Sequence, residues 1–111
     1  KKLKVSSVIL SKYLNREVDL LKLNIEGSET LVMKEIEDKL KNIKEILLHY
    51  HGESSNPSNN LDEIFCILDK NNFVYTIRQL RSFGILKNVT RSTINKREPY
   101  FLFIQAKQKQ K

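Results

Sequence analysis

The chain has 111 residues, 40% of them hydrophobic and 30% charged, with 20 Lys and Arg against 13 Asp and Glu for a formal charge of +7. That length accommodates one domain and is short for an enzyme that must hold both a cofactor and an acceptor, while the composition is that of a globular protein. No apolar run approaches the roughly 20 residues needed to cross a bilayer, so a membrane span is excluded and no membrane partner is expected. Nothing at Lys1 resembles a signal peptide, and the single cysteine, Cys66, rules out an intrachain disulfide and makes the cytoplasm the expected compartment. The excess charge is C-terminal: residues 1–80 carry 12 basic and 12 acidic side chains, whereas residues 81–111 carry 8 basic side chains and Glu98 alone.

In chain order, Ser6 or Ser7 can cap a short helix running to about Asn15, with Leu10, Tyr13 and Leu14 on one face. Val18 to Ile25 is dense enough in apolar residues for a strand buried on both faces, and Glu26-Gly27-Ser28-Glu29 follows it at once. Polar groups thus stand at the carboxyl end of a buried strand, where open α/β sheets bind ligands. Glu29 to Lys41 reads as a helix with Met33, Ile36 and Leu40 inward, and Ile43 to His51 as a second buried strand. The tract GESSNPSNN, residues 52–60, reads as a loop long enough to be mobile. Leu61, Ile64, Phe65 and Leu68 mark a third helix ending at Asn71-Asn72, before a strand over 73–77. Residues 78–98 mix six basic groups with aliphatics and have no convincing helix, and Tyr100 to Ala106 forms a last strand. Residues 1–107 are therefore one α/β domain and 108–111 a basic disordered tail. Helical connections make the first three strands parallel; the last comes out antiparallel.

This order, with VDLLKLNIEGSE at residues 18–29, resembles the carboxyl-terminal half of the FkbM-type methyltransferases, which use S-adenosylmethionine and share the class I methyltransferase (Rossmann-like) fold. Asp19, Leu20, Leu21, Lys22, Glu26, Gly27 and Glu29 match the family motif, and His49 and His51 occupy the places of its Glu-x-His-like pair. The resemblance covers nearly all of residues 5–107. It implies a four-stranded mixed sheet with helices on both faces, and, in family numbering, the strand order 4-5-7-6. It also implies transfer of a methyl group from S-adenosylmethionine to a hydroxyl, with Glu26 and His51 at the acceptor and Asn24 near the donor. Asn24 stands where the family carries Asp; its amide can hydrogen-bond a ligand but holds no charge. No Gly-rich strand-to-helix turn occurs, since the glycines are Gly27, Gly52 and Gly84 alone. The resemblance therefore implies that the cofactor-binding half is missing and that this segment is inactive by itself. Its first strand would be left with an open edge, to be paired by the N-terminal half or by a second copy in a homodimer.

Each of these residues also has a plainer reading. Glu26 can be a solvated loop acid, Glu29 a favourable charge in a first helical turn, and Gly27 a backbone requirement. His49 and His51 share a strand face, yet a metal needs further ligands and only Glu53 is near in sequence, so no metal site is expected. Cys66 reads as a packed thiol. The basic stretch from Arg78 to Arg97 contains no acid and supports an alternative: a non-enzymatic nucleic-acid or anion-binding domain using the C-terminal third. A solvated loop is the plainer reading there, because no nucleic-acid-binding signature accompanies the charge.

Overall fold

A computed structural model of the chain describes residues 2–53, 55–80, 86–87 and 100–109. Strands β1 (Val18–Leu23), β2 (Ile43–Gly52), β3 (Phe73–Leu80), β4 (Leu86–Lys87) and β5 (Tyr100–Gln108) form one sheet in the order β1-β2-β5-β3-β4. β1 runs parallel to β2, while β5 is antiparallel to both β2 and β3, so the first three strands point the same way and the last opposes them. The four longer strands take the order anticipated from the sequence, and the two-residue β4 extends the sheet beyond β3.

Helix α1 (Glu29–Glu35) connects β1 to β2 and helix α2 (Leu61–Lys70) connects β2 to β3. Asn60 caps α2, its side-chain oxygen accepting from the backbone N–H of Asp62 at 2.9 Å and of Glu63 at 3.3 Å. α1 is shorter than its periodicity suggests and passes at Ile36 into a 3-10 segment, Glu37–Asn42. Three residues per turn keep Leu40 and Ile43 on one side, and both are buried. Residues 6–15 form only a 3-10 turn, Leu10–Tyr13. β-branched Val5, Val8 and Ile9 are weak helix formers, and Tyr13, expected inward, is exposed while Leu14 is buried.

The expectation of helices on both faces is not met: α1 and α2 pack against each other and share one core with alternate residues of the sheet. Ile46, Leu48 and Tyr50 of β2 and Leu102, Ile104 and Ala106 of β5 form the sheet's side of that core, with Met33, Ile36, Ile64 and Leu68 from the helical layer above. The intervening residues form an opposite face that no described element covers. Leu47, His49, His51 and Phe103 are half-buried on it, while Leu20, Val74 and Phe101 remain about half exposed (51%, 51% and 50%). β1 is accordingly not buried on both faces, and among the described residues it is an edge strand. Its apolar density reflects residues that alternate between a packed face and an uncovered one.

The proposed boundary at 107 also moves. Gln108 belongs to β5 and donates from Nε2 to the Leu40 carbonyl at 3.1 Å, and the Lys109 N–H donates to the Asn72 carbonyl at 2.9 Å. Residues 110–111 lie outside the described residues. Among the described residues, no helix is long and apolar enough to cross a membrane.

Candidate functional site

The polar ends of β1 and β2 meet at one end of the sheet, around a cleft of about 380 Å³. Glu26 and Gly27 line it from the β1–α1 turn, His51, Gly52 and Glu53 from the end of β2, Asn56 from the following loop, and Phe101 from the start of β5. Local backbone geometry builds this opening. Glu26 has φ 49° and Gly27 φ 104°, a two-residue reversal inside the five-residue connection from β1 to α1. A side chain at Gly27 would be strained by that φ and would bring its Cβ to 2.9 Å from Asn56 Nδ2. At Gly52 the constraint is steric, because a Cβ there would overlap the Tyr100 ring.

Behind the cleft lies a buried polar network centred on Glu29 and Asn59. Glu29 is fully buried, and its carboxylate faces donors on both oxygens. Oε2 accepts from the Gly27 N–H at 2.6 Å; Oε1 accepts from the His51 N–H at 2.6 Å and from Asn59 Nδ2 at 3.1 Å, with His51 Nδ1 also 3.1 Å away. Asn59 completes the set: Nδ2 donates to the His51 carbonyl at 2.9 Å, and Oδ1 accepts from the Thr30 N–H at 3.0 Å and hydroxyl at 2.9 Å. Its own carbonyl accepts from the Tyr50 hydroxyl at 2.6 Å. Every strong hydrogen-bonding group of this buried residue is thus used, the condition under which polar burial is tolerated. Asn56 adds a tie from Nδ2 to the Gly27 carbonyl at 3.0 Å. The tract 52–60, read from sequence as a mobile loop, is in its described residues clamped to the β1–α1 turn.

The electrostatics follow from this packing. Burial, reinforced by the neighbouring Tyr100 and the Glu29 charge, pushes the Tyr50 phenol far above its usual range, so it stays a donor to Asn59. Burial, with His51 and Lys22 nearby, lowers the His49 imidazole, and Glu29 opposes that only in part. His49 and His51 occupy the uncovered sheet face, each set edge-on against a phenylalanine of β5: Phe103 at 5.1 Å and Phe101 at 5.4 Å between ring centroids.

The structure brings Glu26 and His51 to the same cleft. Asn24 lies just past the end of β1, exposed and outside the cleft lining. Glu29, expected at the mouth or on the helix surface, is instead wholly internal. Cys66 is not the packed thiol expected; it is exposed and lines a groove of about 300 Å³ with Lys34, Glu37 and Lys70. Among the described residues no group of three or more His, Cys, Asp or Glu side chains is placed to hold a metal ion. Most of the basic stretch from Arg78 to Arg97 lies outside them. Asn59 and Asn56 were not singled out in the sequence; the only signal was an Asn-rich tract between a buried strand and a helix.

No known protein family, curated protein or solved structure matches this chain.

Proposed function

We propose that this chain is the acceptor side of an FkbM-like, S-adenosylmethionine-dependent O-methyltransferase domain. The observation that carries the reading is the position of the VDLLKLNIEGSE turn, whose Glu26 and Gly27 line a cleft with His51 at the carboxyl ends of two parallel strands. A strand order of β1-β2-β5-β3 with β5 reversed supports it as well. In this reading a hydroxyl-bearing acceptor sits in the cleft against Glu26 and His51, and positioning contributes most of the rate.

These residues do not make a site for S-adenosylmethionine by themselves. The strand-to-helix glycine turn between β1 and α1 has its Gly27 N–H committed to the Glu29 carboxylate at 2.6 Å. The donor site therefore falls to whatever pairs along β1 and covers the open face, either another segment of a longer polypeptide or a second copy of the chain. An apolar edge strand beside a half-exposed face holding Leu20, Val74 and Phe101 favours such a cover. Asn24, at the β1 end, would then meet the donor across that junction.

The test is formation of S-adenosylhomocysteine by the polypeptide in its natural context, with and without substitution. His51→Ala is expected to lower turnover by roughly 100-fold or more and Glu26→Ala by about 10-fold, in the range of lost acid–base and positioning contacts. Undiminished turnover in both variants overturns the assignment of the cleft.

A further inference from the structure

Resting on the acceptor-side reading of the cleft, we infer that His51 and Glu29 form a general-base dyad, in which His51 Nε2 takes the proton of a hydroxyl-bearing substrate. Glu29 is the positioning residue, holding the imidazole through Nδ1 at 3.1 Å.

The hydrogen-bond inventory fixes the direction of that contact. The Gly27 N–H, the His51 N–H and the Asn59 amide are obligate donors, and all three point at the Glu29 carboxylate. Its oxygens are therefore acceptors, and His51 Nδ1 is the fourth donor. A neutral imidazole carrying its proton on Nδ1 has its lone pair on Nε2. The ring is held by the carboxylate at Nδ1 and by a T-shaped contact with Phe101, at 84° between planes. The His51 side chain is 20% exposed and the residue lines the cleft, whereas the Glu29 side chain is 0% exposed, so the imidazole is accessible and the carboxylate is not. Among the described residues His49 has no such carboxylate contact; its ring packs on Phe103.

In the step itself the substrate O–H bond breaks and an Nε2–H bond forms. The electron pair remains on the substrate oxygen as a nucleophile, and the imidazolium is held against Glu29 until it returns the proton to solvent. This is the arrangement of a base oriented by a buried third group, familiar from acyl-transfer sites.

Long-range proton–nitrogen NMR of the histidine-labelled 111-residue chain reads the tautomer directly. The expected result is that neutral His51 carries its proton on Nδ1, with Nε2 bare; the opposite tautomer overturns the dyad. Carbethoxylation by diethyl pyrocarbonate, followed by mass spectrometry, supplies a second readout on the same chain. Glu29→Gln is expected to slow modification of His51 several-fold, and an unaltered His51 rate also overturns the proposal. If Glu29→Gln does not fold, the tautomer of the unsubstituted chain decides. Neither readout needs a methyl donor, so the dyad and the methyltransferase reading fail separately.

Discussion

Replacing Asn59 with alanine tests whether the loop after β2 is held by the buried network. The substitution removes the Oδ1 that accepts from the Thr30 N–H at 3.0 Å and hydroxyl at 2.9 Å, and the Nδ2 that donates to the His51 carbonyl at 2.9 Å and to Glu29 Oε1 at 3.1 Å. The Thr30 hydroxyl has the Asn60 carbonyl in reach at 3.1 Å and can turn to it. The Thr30 N–H, the His51 carbonyl and one position on Glu29 have no such recourse, in a region where Thr30 and Glu29 are both 0% exposed. At about 1 kcal/mol for each buried group left short, the low end of the range, the loss is about 3 kcal/mol. With a urea slope of roughly 2 kcal/mol/M for a domain of this size, the unfolding midpoint should fall by about 1.5 M. A fall of less than about 0.4 M would refute the network as a stabilising element. Asn59→Asp sharpens the experiment. It keeps the acceptor for Thr30 but sets a second carboxylate where Nδ2 stood 3.1 Å from Glu29 Oε1, so it should be at least as damaging at neutral pH and partly relieved on acidification.

Other outcomes follow from the same geometry. Gly52→Ala should cost about 2 kcal/mol or more by overpacking against Tyr100, and the Gly52→Ala/Tyr100→Ala pair should be less unstable than the sum of the single changes; additivity in a double-mutant cycle of urea midpoints would contradict the overlap with the Tyr100 ring. The lowered imidazole of His49, caused first by burial and then by His51 and Lys22, means that below the ordinary value of 6.5 the unfolded chain binds more protons than the folded one. Stability should therefore decline as pH falls through and below 6.5, and His49→Phe should flatten that part of the curve; an identical pH dependence in the variant would show that His49 contributes nothing to it. Open pairing groups along β1 predict self-association, so light scattering coupled to size exclusion should find a dimer or larger species, and a stable monomer at high concentration would rule that out. Leu20→Lys should shift the same profile toward monomer.

How much of this was legible in the sequence depended on how local the determinant was. β2 and β5 were found within one or two residues because alternation and apolar density are local, and α2 was found because Leu61, Ile64, Phe65 and Leu68 keep one face. The parallel and reversed strand directions followed from connection type. The one-sided helical layer was not legible: Leu20, His49, His51 and Phe101 look equally suited to a covered face, and only the packing shows what leaves them open. The burial of Glu29 and its tie to Asn59 were not legible for another reason. The two side chains meet across 30 residues, and neither a lone Glu at a helix start nor an Asn in a loop announces a distant partner. Cys66 was assigned to the core because it adjoins the apolar stripe of α2, but its place on the helix turns it outward to the groove.

Calorimetric titration of S-adenosylmethionine into the 111-residue chain most directly tests the claim that these residues supply the acceptor side alone. The expected result is no heat of binding, because the Gly27 N–H is already bonded to Glu29 and, among the described residues, β1 is an edge strand. Micromolar binding would contradict it.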